Sequence, residues 1–245
     1  MKILLIADIH ANWPALQAVV REPHDLCFFV GDLVDYNLQP SPCIGWVAAN
    51  ARYTVRGNHD HGVAQGVPIS GQSGFRLLTS VTRPLTQERI SRSDRRFLTR
   101  LPVTRFVTID ETRFFLVHAS PRDPLDEYTY PEVDFWSRRV RDISADVFCV
   151  GHTHLPYVLE VGDKLVVNPG SVGQPRDGDP RASYAIIEGN HVQLRRIEYP
   201  VEDSVKVIQQ STLPENAKGL LTQVLRTGTL PKNASTSDRK ESATS

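Results

Sequence analysis

The chain has 245 residues, 40% of them hydrophobic and 23% charged; this is enough apolar material for one full core and excludes a chain disordered throughout, a collagen or a coiled coil. Lysine plus arginine and aspartate plus glutamate number 28 each, so no global field draws in nucleic acid or an anionic membrane, and any hold on an anion must be local. Cys27, Cys43 and Cys149 are an odd number without the close spacing of a zinc knuckle, and the apolar start is interrupted at Asp8, too early for a secretory core or a membrane span; both features predict a cytoplasmic protein with no membrane contact.

Short β-rich runs alternate with helical patterns, as expected of strands feeding crossover helices. Lys2–Ala7 reads as a buried strand, followed by a helix that Asn12 can cap and in which Pro14 suits the first turn. His24–Val30 is a second strand, Ser41–Asn50 a helix and Tyr53–Arg56 a third strand. Ile90, Phe97, Leu98 and Leu101 share one side of a helix predicted from Thr86 to Leu101, which Pro102 stops. Strands then follow at Val103–Asp110, Arg113–Val117, Asp146–Val150, Tyr157–Val161, Lys164–Val167, Tyr184–Glu188 and His191–Tyr199, with a hairpin turn at Glu188-Gly189-Asn190. The pattern suggests two sheets face to face, the first largely parallel. Two short helices are expected after Pro200, and the Ser- and Thr-rich residues 232–245 read as a disordered tail. A single domain over 1–231, with 201–231 as its helical extension, is expected.

Six of the eight histidines follow β runs: His10, His59 with His61, His118, and His152 with His154. Strand ends are where an α/β sheet presents side chains to a ligand crevice. With their neighbouring carboxylates and amide, the donors are Asp8, His10, Asp32, Asn58, His118, His152 and His154. Seven oxygen or nitrogen donors without sulfur exceed one tetrahedral ion and suit two divalent cations. Two dications bring four positive charges against the two carboxylates Asp8 and Asp32, leaving local attraction for an anionic substrate.

The order Asp8-x-His10, Gly31-Asp32-x-x-Asp35, Gly57-Asn58-His59-Asp60, His118 and Gly151-His152-x-His154 resembles the calcineurin-like metallophosphoesterases over about residues 1–200, and within them the small prokaryotic phosphodiesterases, which His10-Ala11-Asn12 and Asn168-Pro169-Gly170-Ser171 also resemble. The resemblance implies an α/β fold (α+β in some schemes), a four-layer αββα sandwich of two mixed sheets flanked by helices. It implies that Asp8, His10, Asp32 and His154 hold one metal and Asp32, Asn58, His118 and His152 the other, with Asp32 as the bridge. It further implies a bridging hydroxide as nucleophile, His59 as the acid for the leaving oxygen, and Asp35 as the carboxylate that orients His59. The donor set suits Mn, Fe, Zn, Co or Ni, with Mn the leading candidate.

Two further residues carry open readings. Asn12 either caps its helix or donates to a phosphate, and Arg176 either forks onto a phosphate or is a solvated loop charge. The expected activity is hydrolysis of phosphodiesters or phosphomonoesters in small molecules. A nuclease is a second reading, against which the balanced charge counts; a protein-binding scaffold, as in the retromer subunit of this superfamily, is a third, against which the retained His59 counts. Residues 62–86 and 120–135 carry no readable motif; their aromatics suggest a cap or a homo-oligomer contact.

Overall fold

The computed structural model describes residues 1–189 and 191–231; the expected tail at 232–245 and the turn residue Asn190 lie outside the described residues. Among the described residues, ten strands form two mixed five-stranded sheets, with eight helices around them. The first sheet has the order β10-β9-β1-β2-β3, built from β1 (Lys2–Ile6), β2 (Leu26–Val30), β3 (Tyr53–Val55), β9 (Ala182–Glu188) and β10 (His191–Ile197). Strands β1 to β3 run parallel, while β9 and β10 are antiparallel. The second has the order β4-β5-β6-β8-β7, from β4 (Thr104–Ile109), β5 (Thr112–Val117), β6 (Val147–Cys149), β7 (Pro156–Val161) and β8 (Lys164–Pro169), with β5, β6 and β8 parallel.

Side chains alternate across a strand, and β1 shows what that does here. Ile3 and Leu5 meet Phe28 and Val30 from the same sheet and Phe114, Leu116 and Cys149 from the other, forming the core between the sheets. Leu4 and Ile6 face the opposite way. There they pack under α1 (Trp13–Val19), α2 (Pro40–Asn50) and α5 (Arg92–Arg100). The outer face of the second sheet is covered by α6 (Val133–Val140), whose fully buried Trp136 packs on Phe115 and Phe148. Helix, sheet, sheet and helix thus make four layers. All three cysteines are free and buried in these cores.

The helix predicted over Thr86 to Leu101 is two helices. The helix α4 (Gly74–Arg89) is stopped by Ile90, whose backbone turns extended at ψ 140°, and α5 begins at Arg92 after its N-cap Ser91. Ser91 accepts from the Asp94 backbone N–H and Asp94 accepts from that of Ser91, a reciprocal box that supplies the new helix with its own start. The apolar residues that suggested one helix, Ile90, Phe97, Leu98 and Leu101, all still reach the same core. Between β3 and α4 stands α3 (Asn58–Gln65). At the C-terminal side, α7 (Val201–Gln209) and α8 (Glu215–Thr227) pack with α4 around Leu78, Ile208 and Leu221. Among the described residues, no helix is long and apolar enough to cross a membrane.

Candidate metal centre

Five strand ends build the centre. Asp8 and His10 follow β1, Asp32 follows β2, Asn58 follows β3, His118 follows β5, and His152 and His154 follow β6. The parallel strands of both sheets therefore deliver their C-terminal loops to one place, the usual site of a crevice in α/β folds. The chain leaves β1, β2 and β6 through left-handed backbone: φ is +52° at Asp8, +46° at His10, +62° at Asp32, +67° at Asp35, +68° at His152 and +60° at His154. L-residues rarely adopt this conformation, Asp and His more readily than most, and its clustering marks a functional site. The loops are also bonded across: Asp8 N–H to Gly31 O at 2.9 Å, His10 N–H to Asp32 O at 3.1 Å and Gly173 N–H to Asp8 O at 3.0 Å.

Asp8, His10, Asp32 and His154 each bring a donor atom to within 4.8 Å of the others, and Asp32, His118 and His152 do the same in a second group. Asp32 belongs to both. Its Oδ1 is tied down by the His59 backbone N–H at 2.9 Å. Its Oδ2 faces the site, 3.2 Å from His118 Nε2, 3.7 Å from His10 Nε2 and 4.0 Å from His59 Nε2. Asp60 holds the surrounding backbone by accepting from Asp32, Leu33 and Gly57 N–H groups. It is therefore a clamp on these loops.

Three of the imidazoles are locked in one orientation. His10, His118 and His154 donate from Nδ1 to the carbonyls of Val34, Val30 and Gln174 at 2.8, 2.8 and 2.6 Å, so each turns Nε2 inward. Burial lowers the pKa of His10 and of His154 well below that of free imidazole. Both are then neutral with bare Nε2 lone pairs, yet those atoms lie 3.2 Å apart. Two lone pairs at that distance repel unless a cation lies between them.

The unpaired atoms point the same way. Asp8 Oδ1, Asn58 Oδ1, His118 Nε2 and His152 Nε2 are all buried without a hydrogen-bond partner, although a buried polar atom normally has one. Burial raises Asp8 well above the carboxylate range, with Asp32 adding to the effect. Burial also opposes ionisation of Asp32, but His118, His59 and His10 outweigh it and hold that carboxyl well below its usual range. At His118 burial is again outweighed, here by Asp32, and the imidazole rises to about 10. His152 falls to about 3 through burial and the neighbouring His118 charge. Protein groups alone thus favour the neutral form of Asp8 and the charged form of His118. Divalent cations would reverse both states and satisfy the orphaned atoms, so the residues fit a pair of metals.

His59 is next to the cluster, its Nδ1 donating to Asp35 Oδ2 at 2.8 Å. Arg176 lies at the rim with its guanidinium 3.7 Å from the Phe75 ring centroid, and donates to Tyr36 Oη and Gln174 Oε1. Its charge is felt at Asp8, His10 and His154.

The geometry separates the two readings of Asn12. Its Oδ1 accepts from Ala15 N–H and Ser204 Oγ, and its amide donates to Gly173 O and Tyr199 Oη, all buried. The side chain caps α1 and ties it to α7, which leaves no polar atom for a phosphate, so the substrate-binding reading of Asn12 is corrected. His61 is bonded to Arg56 and takes no part in the cluster.

Two residues that sequence reasoning missed stand beside the histidines. Tyr36, also left-handed at φ +61°, packs its ring 4.6 Å from His10 and 4.9 Å from His59. Arg83 of α4 reaches Asp35. Tyr128, which composition suggested only as part of a cap, places its ring 4.5 Å from His152 while remaining 59% exposed.

Comparison with known proteins shows the family to which the chain is similar. The model of the calcineurin-like phosphoesterase superfamily domain matches residues 1–191. The uncharacterized protein MJ0912 of Methanocaldococcus jannaschii is 30% identical over 237 residues, covering 87% of this chain and 94% of that protein. The crystal structure of a metallophosphoesterase from Sphaerobacter thermophilus superposes with a TM-score of 0.77 at 32% identity, over 93% of this chain and 99% of that one. Phosphodiesterase YfcE of Escherichia coli strain K12 is 24% identical over 204 residues, 78% of this chain and 89% of its own.

Proposed function

This chain belongs to the calcineurin-like phosphoesterase superfamily, and from that premise we propose that it hydrolyses phosphodiester bonds in small molecules, with phosphomonoesters as a second substrate class. One observation carries the reading: buried polar atoms of Asp8, Asn58, His118 and His152, from four strand ends, have no hydrogen-bond partner, and Asp8, His118 and His152 belong to the two ligand-spaced groups that share Asp32. Asp8, His10, Asp32 and His154 would hold one cation, and Asp32, Asn58, His118 and His152 the other, with Mn as the ion of first choice among Mn, Fe, Zn, Co and Ni. When bound, such a pair supplies Lewis acidity toward two phosphate oxygens and a water acidified toward neutrality.

The chain's own residues do the rest. His59 lends the proton: acting as the imidazolium, it keeps its Nδ1–H on Asp35 and passes its Nε2–H, on the side of Asp32, to the departing oxygen as the P–O bond breaks, ending as the neutral imidazole. Arg176 offers a guanidinium to a phosphate oxygen. Buried neutral histidines and only two carboxylate ligands keep the centre net positive once it holds two dications, which favours an anionic ester.

The test is hydrolysis of an aryl phosphodiester and an aryl phosphomonoester by Mn-loaded protein, with metal content measured alongside. His59→Asn is expected to keep its metal and to lose about 10²–10⁴ in kcat, the usual contribution of a positioned acid. Unchanged turnover would remove His59 from the mechanism, and absent turnover in the wild type would favour a scaffold.

A further inference from the structure

We infer that Arg83 is a positioning residue for this reaction, fixing Asp35 and through it the direction in which His59 delivers its proton. The inference rests on the reading of His59 as the acid. Asp35 has left-handed backbone at φ +67°, so no regular element dictates where its carboxylate points. One oxygen does all the work. Asp35 Oδ2 accepts from His59 Nδ1 at 2.8 Å, from Arg83 Nε at 3.0 Å and from Arg83 Nη2 at 2.7 Å, while Oδ1 is buried without a hydrogen-bond partner. The imidazole therefore follows an atom that the guanidinium holds.

The holder is itself fixed. Arg83 comes from α4, is 7% exposed, and donates a long bond from Nη1 to Val67 O at 3.5 Å. Its guanidinium lies flush against Gly62, where an added Cβ would stand 2.3 Å from Nη1, 2.6 Å from Cζ and 2.8 Å from Nη2. Gly62 lies inside α3, a position where glycine is unfavourable to the helix. Here its missing side chain makes room for the arginine. Helix α3 also begins with Asn58 and His59, so one short helix carries the acid and the notch for the residue that aims it. Asp35, from the loop after β2, and Arg83, from α4, close that circle. Lysine cannot replace the fork, because Nε and Nη2 reach one oxygen from a rigid plane whereas an ammonium is a single point charge.

Two variants that keep charge in the pocket test this: Arg83→Lys, and Gly62→Ala, which displaces the guanidinium while leaving Arg83 in the chain. Each is assayed with bis(4-nitrophenyl) phosphate, whose leaving group departs without a proton, and with diphenyl phosphate, whose leaving group needs one. Both variants are expected to lose about tenfold or more in kcat on diphenyl phosphate, part of the 10²–10⁴ available to a positioned acid. On the nitrophenyl ester they should stay within about twofold of wild type, with metal content unchanged. In metal-free protein, the hydrogen-bonded Nδ1–H proton resonance of His59, assigned by its loss in His59→Asn, should shift or broaden in both variants. Equal losses on the two esters, or an unmoved resonance, overturn the inference. A leaving-group effect in His59→Asn that is missing from both variants overturns it alone, whereas no such effect in His59→Asn refutes the acid role of His59 and the inference with it.

Discussion

Gly57 offers a sharp perturbation of the proposed shared ligand. Its backbone, at φ −92° and ψ 174°, is open to any residue, so only space forbids a side chain there. A Cβ would stand 2.0 Å from Asp32 Oδ1, 2.4 Å from Asp32 N and 2.7 Å from Asp32 Cγ. Ordinary contact begins near 3.4 Å, so the carboxylate must retreat by roughly 1.4 Å. It cannot do so freely, because Oδ1 also accepts from His59 N–H at 2.9 Å. Misplacing a reacting group by about 1 Å costs on the order of 100-fold. Gly57→Ala is therefore expected to lose at least about 100-fold in kcat/KM and to bind less than the full metal complement, although the fold survives. The matched control is Gly45→Ala in α2, where a Cβ meets nothing within 4 Å. There the same exchange removes a helix-breaking residue and should stabilise by about 0.4–1 kcal/mol. Urea unfolding, metal analysis and hydrolysis of an aryl phosphodiester would be measured on both. Wild-type metal content with wild-type turnover in Gly57→Ala would refute the reasoning.

Other consequences are equally direct. Since Asp32 lifts His118 to about 10 against the effect of burial, cation-free protein at pH 8 carries a proton there that ligation must expel. Calorimetric Mn titrations in two buffers of different ionisation enthalpy should report about one proton released or more, with affinity rising with pH; none released would count against His118 as a ligand. Hydrogen bonds from the Arg113 guanidinium and backbone N–H hold Asp146 down to about 2, so its contribution to stability is present above the ordinary pKa of 3.8 and lost as pH falls through about 2. The unfolding gap between wild type and Asp146→Asn should close between those two pH values, and a gap that persists below them would disprove the linkage. Trp136 is fully buried and its indole N–H donates to Tyr130 O at 3.1 Å, so Trp136→Ala should cost about 3–5 kcal/mol in urea unfolding. A loss under about 1 kcal/mol would mean the cluster on the outer face of the second sheet does not pack as described.

The strands and the donor residues at their ends are legible in the amino-acid order because both follow from local chain geometry. An unbroken apolar run such as Ile3, Leu4, Leu5 and Ile6 defines a strand buried on both faces, and Asp and His are among the few residues that tolerate the left-handed turns just beyond. The motif order then names the donors without any knowledge of packing. Elsewhere the local signal is silent or ambiguous. The division of residues 86–101 into two helices depends on the Ser91–Asp94 box overriding a continuous apolar stripe. Asn12 has the same residue type whether it caps or binds, and only the arrival of Ser204 and Tyr199, 192 and 187 positions away, commits it. Arg83 meets Asp35 across 48 positions, from a helix with Pro84 in its interior and no side-chain cap. Periodicity and turn chemistry act over a few residues and so can be read from the chain itself. Which oxygen of Asp32 faces the histidines, and which arginine holds Asp35, are set by the packing of elements distant in sequence, and only the tertiary structure decides them.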